Sequence, residues 1–371
     1  MEWSKTLVDA KLFYRSTFKL SGALLFGALT VGLSLVAFYL DWLAGRSPIQ
    51  IQSLVLPLWV CALTTAVLGF WAVPTLQALK AGQAIREDGP QSHLRKAGTP
   101  TMGGIFFIPV ALVVAIAWSG FSPAVLAVSG LTLAYAAIGW LDDWQIIRRK
   151  SNKGISPRLK LALQIAFGGL FCLWAMLTQP VSITNLALPF GAVLPLGILF
   201  LPIAWFSLVA ESNATNLTDG LDGLAAGTSA IALLGLGALV APTAPDLMVF
   251  CAALSGSCLG FLVHNRNPAR VFMGDTGSLA LGGALAAVAV LTNSLLALLV
   301  LSGLFLIETL SVMAQVGYYK ATKGPDGIGK RLFKMSPYHN HLELSGWSET
   351  RIVAVFYILA GLLTLLTLAI F

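Results

Sequence analysis

Glu211-Ser-Asn-Ala-Thr-Asn-Leu-Thr-Asp-Gly-Leu-Asp-Gly223 lies between two apolar runs, one ending at Ala210 and one beginning at Gly223. It carries Glu211, Asp219 and Asp222 with Asn213 and Asn216, and no Lys or Arg. Carboxylates at the edge of a membrane are costly unless water, a cation or a hydrogen-bond donor meets them. Asp219 and Asp222 stand at i and i+3, so they share one face if they open the following helix. The plain alternative is a polar turn capped by Asp and Gly. What separates the two readings is whether acids from other loops meet this stretch.

The flanking runs decide the fold class. Of 371 residues, 57% are hydrophobic and 11% charged, against about 25% charged in a soluble domain. The chain reads as an all-α, polytopic integral membrane protein. Apolar runs long enough to span cover residues 20–40 and 54–79. Residues 102–141 carry no charge and exceed one span of about 20 residues, and Gly120-Phe-Ser-Pro123 supplies the break. Residues 161–210 divide in the same way, with a loop or short hairpin over 178–191. Spans follow at 223–240 and 247–263, then two more up to Tyr319, split near Thr292-Asn-Ser294, and a last one at 351–371. The expectation is about eleven transmembrane helices, with 1–53 an N-terminal extension carrying an extra helix and 54–371 the core.

All 23 Lys and Arg except Arg46 fall in the N-terminal tail, in the loops after every second span, or at the adjoining helix entrances. Lys5, Lys11, Arg15 and Lys19 form the tail group; Lys80, Arg86 and Arg95 are among the loop group. Such an excess marks the cytoplasmic face. The same face holds the four histidines and all 16 acids except Asp41, Asp246 and the intramembrane Glu308. The net charge of +7 is therefore a topology signal, and no nucleic-acid partner is expected. Cys61, Cys172, Cys251 and Cys258 sit inside apolar runs without metal-site spacing and read as small hydrophobes.

Four polar clusters share that face: Asp142-Asp143, the stretch from Asn213 to Asp222, Phe272-Met-Gly-Asp275, and Ser336-Pro-Tyr-His-Asn-His-Leu-Glu343. Asp142 and Asp143 close a span in this reading. Adjacent carboxylates repel, and acids suit a helix C-terminus poorly. Violations of local rules concentrate at functional sites. Clustered acids without Cys suit a hard cation, Mg²⁺ before Zn²⁺. Lys96 and Lys160 lie near helix entrances on the same face, and acids with lysines suggest phosphoryl chemistry on an anionic substrate. Either lysine could equally serve topology alone. Gly324-Pro-Asp-Gly-Ile-Gly-Lys330 imitates a P-loop, but Arg331 stands where Ser or Thr should hold magnesium. His339, His341 and Glu343 could form a zinc site, but no second ligand pair accompanies them.

Together these stretches resemble the phospho-N-acetylmuramoyl-pentapeptide transferases, within the polyprenyl-phosphate N-acetylhexosamine-1-phosphate transferase superfamily. The resemblance is carried by Gly98-Thr-Pro-Thr-Met-Gly-Gly104, Gly139-Trp-Leu-Asp-Asp143, Asn216-Leu-Thr-Asp-Gly-Leu-Asp-Gly223, Phe272-Met-Gly-Asp275 with Gly277-Ser278, Glu308-Thr309 and the His339 loop. It implies transfer of phospho-N-acetylmuramoyl-pentapeptide from UDP-N-acetylmuramoyl-pentapeptide to undecaprenyl phosphate, giving lipid I and UMP, with Mg²⁺ as cofactor. It implies a multi-pass protein of the bacterial plasma (inner) membrane, among membrane lipid, with its active site facing the cytoplasm. Oligomeric state is left open, a homodimer included. Asp275 is the implied magnesium ligand, and Asp142 and Asp143 handle the lipid phosphate or the metal. Lys96, Thr101, Lys160, Asn213, Asn216, Asp219 and Asp222 line the nucleotide pocket, and Phe272 stacks on uracil. His339 and His341 are implied in catalysis. The chain departs from the family pattern at Asn340, where a third histidine is usual, at Ser212, and in its extra first span.

A phosphate monoester has its second pKa near ~6, so the lipid phosphate needs little help from a base. Direct attack on the β-phosphorus is the expected route, and a covalent aspartyl-phosphate is the rival. Two alternatives differ in function: a transferase using UDP-N-acetylglucosamine, and a transporter. Transporters place ionisable groups near mid-membrane and often carry inverted repeats, whereas only Glu308 is deep here.

Overall fold

The computed structural model of the chain describes residues 20–79, 96, 98–149 and 153–371. Lys5, Lys11, Arg15, Lys19, Lys80, Arg86, His93, Arg95 and Lys150 lie outside the described residues, so the basic tail and part of two basic loops rest on sequence alone.

Helices α1 (Gly22–Leu43) and α2 (Val55–Ala78) come first. The Ser21 hydroxyl caps α1 by accepting from the Leu24 N–H at 3.1 Å. At the far end Asp41 is fully buried. Its carboxylate accepts from the N–H groups of Leu54 and Val55 at the start of α2 and pairs with Arg46 at 2.8 Å. A carboxylate at a helix N-terminus meets orphan donors and the positive end of the dipole. The one basic residue outside the main charged face is thus held by an acid.

Helices α3 (Gly104–Trp118) and α4 (Pro123–Arg149) follow, then α5 (Pro157–Thr178), which Ser156 caps. The expected loop or hairpin is a hairpin that runs past residue 191: strands β1 (Asn185–Ala187) and β2 (Val193–Pro195) pair antiparallel, with Leu186 opposite Leu194. Next come α6 (Phe200–Thr218), α7 (Leu224–Val240), α8 (Pro245–Asn265) and α9 (Gly274–Leu291). The chain ends with α10 (Leu295–Leu301), α11 (Gly303–Ala321), the short α12 (Tyr338–Leu344) and α13 (Glu349–Ile370).

The protein is an all-α polytopic membrane protein. Among the described residues eight helices are long and apolar enough to cross a membrane, and α10 with α11 makes a ninth if the bent pair is one span. The two remaining apolar helices, α3 and α7, are shorter. Burial separates centre from rim. The most apolar window of α8 is 94% buried and that of α9 83%, against 17% for α1 and 28% for α5 and α13. Helix α8 packs against α2, α3 and α7, and α9 against α4 and α6. Together with α7, of whose 17 residues all but Ala238 and Leu239 are buried, these wrapped helices form the centre, and more exposed helices surround them.

Two expectations about helix ends need correction. The second half of residues 102–141 does not stop at Asp143: α4 continues to Arg149 and finishes with Arg148 and Arg149, which suit a C-terminus. The acids therefore sit inside the helix. The last part of residues 295–319 is not one straight span either, because α10 and α11 meet at a 75° bend. Ser302-Gly303 stands at the joint, and its hydroxyl donates to the Leu298 carbonyl at 2.7 Å. Ser/Gly pairs are a recognised cause of sharp kinks.

Candidate active site

The stretch 211–223 is where the polar clusters meet. It comprises the end of α6, a tight connection and the start of α7. Asp219 caps the end of α6, and Gly223, at φ +80°, turns the chain into α7. Asp219 and Asp222 therefore do not share the first turn of a helix, and they join different clusters.

The first cluster forms around the N-terminus of α9. Asp143, buried on α4, accepts from the Asp275 N–H at 3.2 Å, the Thr276 N–H at 3.0 Å and the Thr276 hydroxyl at 2.6 Å. Asp143 thus caps α9 from a neighbouring helix. Gly139, one turn earlier, permits this crossing, since a Cβ there would strike the backbone of Asp275. Relieved of capping, the Asp275 side chain turns outward. Its Oδ1 accepts from Asn216 Nδ2 at 2.7 Å and its Oδ2 is paired with Lys160 at the start of α5. Asp142 accepts from the Ile155 N–H at 3.0 Å, and its carboxyl comes within hydrogen-bonding reach of Asp275. Asp219 faces the same group. Burial, then the charges of Asp275, Asp143 and Asp222, push its pKa up to about 8, and a hydrogen bond from the Gly274 backbone only partly offsets this.

The second cluster surrounds Lys96. Its ammonium donates to Asp222 Oδ1 at 2.7 Å and to Glu349 Oε1 at 2.6 Å. Asp222 Oδ2 accepts from Asn267 Nδ2 at 3.1 Å and from the Ala269 N–H at 2.9 Å. Glu349 also takes the Asp222 N–H at 2.6 Å and Asn267 Nδ2 at 2.9 Å. Burial works against the Lys96 charge, but Glu349 and Asp222 outweigh it and hold its pKa above the ordinary lysine value.

The remaining residues frame these clusters. Residues 100–104 and 272–273 pair through backbone bonds: Phe272 N–H to the Pro100 carbonyl, and Gly103 and Gly104 N–H to those of Phe272 and Met273. That pairing brings Thr101, buried, and Phe272, partly exposed, to the rim of the first cluster. Asn213 donates to Gln164 at 3.1 Å, one turn before Asn216 on α6. His339 is buried against Gly220 and bonded to Glu308. His341 is placed elsewhere: its Nδ1 accepts from the Lys334 N–H at 3.2 Å, and its ring packs with Phe333 and Tyr338. The zinc arrangement does not form. Among the described residues no group of three or more His, Cys, Asp or Glu could hold a metal ion.

Sequence reasoning missed Glu349, Asn267 and the capping of α9 by Asp143 through Thr276. Glu349 follows Ser348 at the entrance of the last span and reads locally as an ordinary first-turn acid; its partners lie far away in sequence.

The donor set suits magnesium. That ion uses one or two carboxylates and completes its shell with water and substrate phosphate. Asp142 and Asp275 stand against each other with Lys160 as the neighbouring cation, which leaves an excess of negative charge for a divalent ion to relieve.

Comparison with known proteins gives the family. Residues 125–293 match the model of glycosyl transferase family 4, and residues 96–108 match phospho-N-acetylmuramoyl-pentapeptide-transferase signature 1. A phospho-N-acetylmuramoyl-pentapeptide-transferase of Nostoc punctiforme is 69% identical over 98% of this chain and 100% of its own length. The protein of that name from Trichormus variabilis is 68% identical over 98% and 99%, and that from Synechocystis sp. is 58% identical over 91% and 92%. The segment 96–108 contains Lys96 and Thr101, and 125–293 contains Asp142, Asp143, Lys160, Asn216 and Asp275, so the matches fall on the clusters described above. This chain belongs to the phospho-N-acetylmuramoyl-pentapeptide-transferase family.

Proposed function

We propose that the protein transfers phospho-N-acetylmuramoyl-pentapeptide from UDP-N-acetylmuramoyl-pentapeptide to undecaprenyl phosphate, producing lipid I and UMP. The observation that carries this reading is the meeting of Asp142, Asp143, Lys160, Asn216 and Asp275, from four helices, at one point in a chain of this family. Family membership supports the reaction. The Lys/Arg distribution supports a cytoplasm-facing site in the plasma (inner) membrane.

The chemistry follows from charge. The attacking lipid phosphate is largely dianionic at neutral pH, since its second pKa is near ~6. Its oxygen forms a bond to the β-phosphorus while the bond from that phosphorus to the bridging oxygen breaks, and UMP departs with that oxygen. The main difficulty is bringing two anions together, so preorganised positive charge matters more than proton transfer. Lys160 supplies one such charge, held in place by Asp275. Asp275, with Asp142 beside it, would hold magnesium, which would supply further charge neutralisation. Both oxygens of Asp143 are already engaged by the start of α9. A nucleophile would have to surrender those bonds, which supports direct attack over an intermediate on Asp143. His339, buried against Gly220, supports the connection between Asp219 and Asp222, through which it would act on the reaction.

The test is UMP release by the purified protein, given both substrates and magnesium. Turnover that needs polyprenyl phosphate and stops with a chelator is the expected result. Absence of UMP release would overturn the reading, and release from UDP-N-acetylglucosamine alone would move the protein to the related sugar transferases. Exchange of labelled UMP into the UDP-substrate in lipid-free enzyme would replace direct attack with the covalent route.

A further inference from the structure

Glu308 is fully buried on α11, on a face it shares with Leu304, Phe305 and Ser311. An ionisable group at such a position is costly unless something specific meets it. Among the described residues the partner of its carboxylate is a single residue, gripped twice. Glu308 Oε2 lies 3.0 Å from His339 Nδ1, and Oε1 accepts from the His339 backbone N–H at 3.2 Å. Ring and peptide of His339 are therefore fixed together at the start of α12. His339 itself is 1% exposed.

The opposite edge of the ring packs on Gly220. A Cβ placed on Gly220 would collide with His339 Nε2 before any other atom. Gly220 lies between Asp219, which faces the first cluster, and Asp222, which belongs to the second. A larger residue at 220 would drive the ring off this position. The imidazole thus bridges α11 and the connection between α6 and α7, one nitrogen on each side.

We propose that Glu308 is a positioning residue for the transfer reaction: it holds His339 with the proton on Nδ1, so that Nε2 is turned to Gly220 and the ring buttresses the connection that carries Asp219 and Asp222. The ring nitrogen bonded to a carboxylate carries the proton, and that bond fixes both tautomer and orientation. The proposal rests on the transferase reading above and adds the partner that makes His339 competent. It also accounts for an acid deep in a span without invoking transport.

The test uses the full-length protein in detergent, labelled with ¹⁵N-histidine. The chain has 4 histidines, and the His339 signals are assigned by their absence in His339→Ala. Wild-type protein should show His339 protonated at Nδ1. Glu308→Gln keeps size and an acceptor for the backbone N–H but removes the charge, and should shift the ring toward the other tautomer. Its kcat should fall ~10- to 100-fold, the usual effect of losing an orienting partner, with KM for both substrates little changed. Glu308→Asp, which retains the charge, should keep the Nδ1–H signature and recover part of the rate. Gly220→Ala approaches the ring from its other edge, leaves Glu308 intact, and should lower kcat to a similar degree if Glu308→Gln fails to fold. An unchanged tautomer in Glu308→Gln would overturn the proposal, as would wild-type kcat in that variant or in Gly220→Ala. Failure of the transferase reading looks different, because the wild-type protein itself would then release no UMP.

Discussion

Lys160 and Lys96 lie near helix entrances, and sequence alone treats them alike. Their surroundings differ. Both oxygens of Asp222 and both of Glu349 have donors, so the Lys96 cluster is closed. It ties the last span to the segments that carry Lys96, Asp222 and Asn267 and acts as a strut. Around Lys160, Asp142 and Asp275 press against each other, and Asp219 holds a proton up to about pH 8. That cluster sets one lysine against several carboxylates. A saturated lysine supports the fold, while a lysine among surplus carboxylates marks where a cation and a phosphate can enter.

The strongest way to break this comparison is Asp275→Asn. Asp143, not Asp275, caps α9, so the variant should fold. Its turnover should fall at least ~10³-fold, with weakened magnesium dependence, because an amide is a poor ligand for a hard divalent ion. Near-normal turnover with unchanged magnesium response would remove Asp275 from the metal site. The counterpart in the closed cluster is Lys96→Met. It strands two carboxylates, and breaking a buried pair from one side costs about 3–5 kcal/mol. Denaturation in detergent checks this, and an undiminished midpoint would show that Lys96 is no strut.

A third experiment sets the two clusters against each other through pH. The folded protein keeps a proton on Asp219 that the unfolded chain loses at the ordinary aspartate pKa. The native state therefore binds more protons between about pH 4 and about pH 8, and metal-free stability should fall as pH rises through that window. Asp219→Asn should flatten the slope and raise the metal-free unfolding temperature, whereas Asp222→Asn should lower it. Magnesium should flatten the slope in the wild type. Equal signs for the two variants would erase the distinction between the clusters. The smallest effect is expected at Asn340, which is buried with no partner for its Oδ1 among the described residues. No interaction depends on that oxygen, so Asn340→His should change turnover by less than ~3-fold, below ~1 kcal/mol on the barrier. A larger loss would give the middle position of the histidine loop a role of its own.

Much of the architecture was legible because lipid-facing and wrapped helices alike must be apolar and uninterrupted by charge. The runs before Ala210 and after Gly223 announced α6 and α7 without any long-range knowledge. Helix ends were harder. Asp142 and Asp143 suggested a terminus because acids suit a C-terminus poorly; the real explanation, an α9 N-terminus 132 residues away in sequence, is a tertiary fact. Glu349 was illegible for the same reason, since it meets Asp222 across 127 residues. The bend at Ser302-Gly303 was written in the sequence, but an unbroken apolar run masked it. The motifs named most of the site residues. They did not reveal that Asp219 and Asp222 diverge or that His341 turns away from the acids.

That bend has a consequence for the surrounding lipid. At 1.5 Å per residue, α10 is roughly 10 Å long and α11 roughly 28 Å. With 75° between them, the pair advances only roughly 18 Å along the α10 axis, well short of the ~30 Å hydrocarbon thickness. Ile307, Leu310 and Met313 nonetheless stand exposed along α11. Wherever α10 runs upright, the bilayer beside α11 must thin or tilt its chains to cover those side chains, a hydrophobic mismatch confined to one side of the protein. With α10 upright, that adjustment of the bilayer falls on the flank where α11 lies.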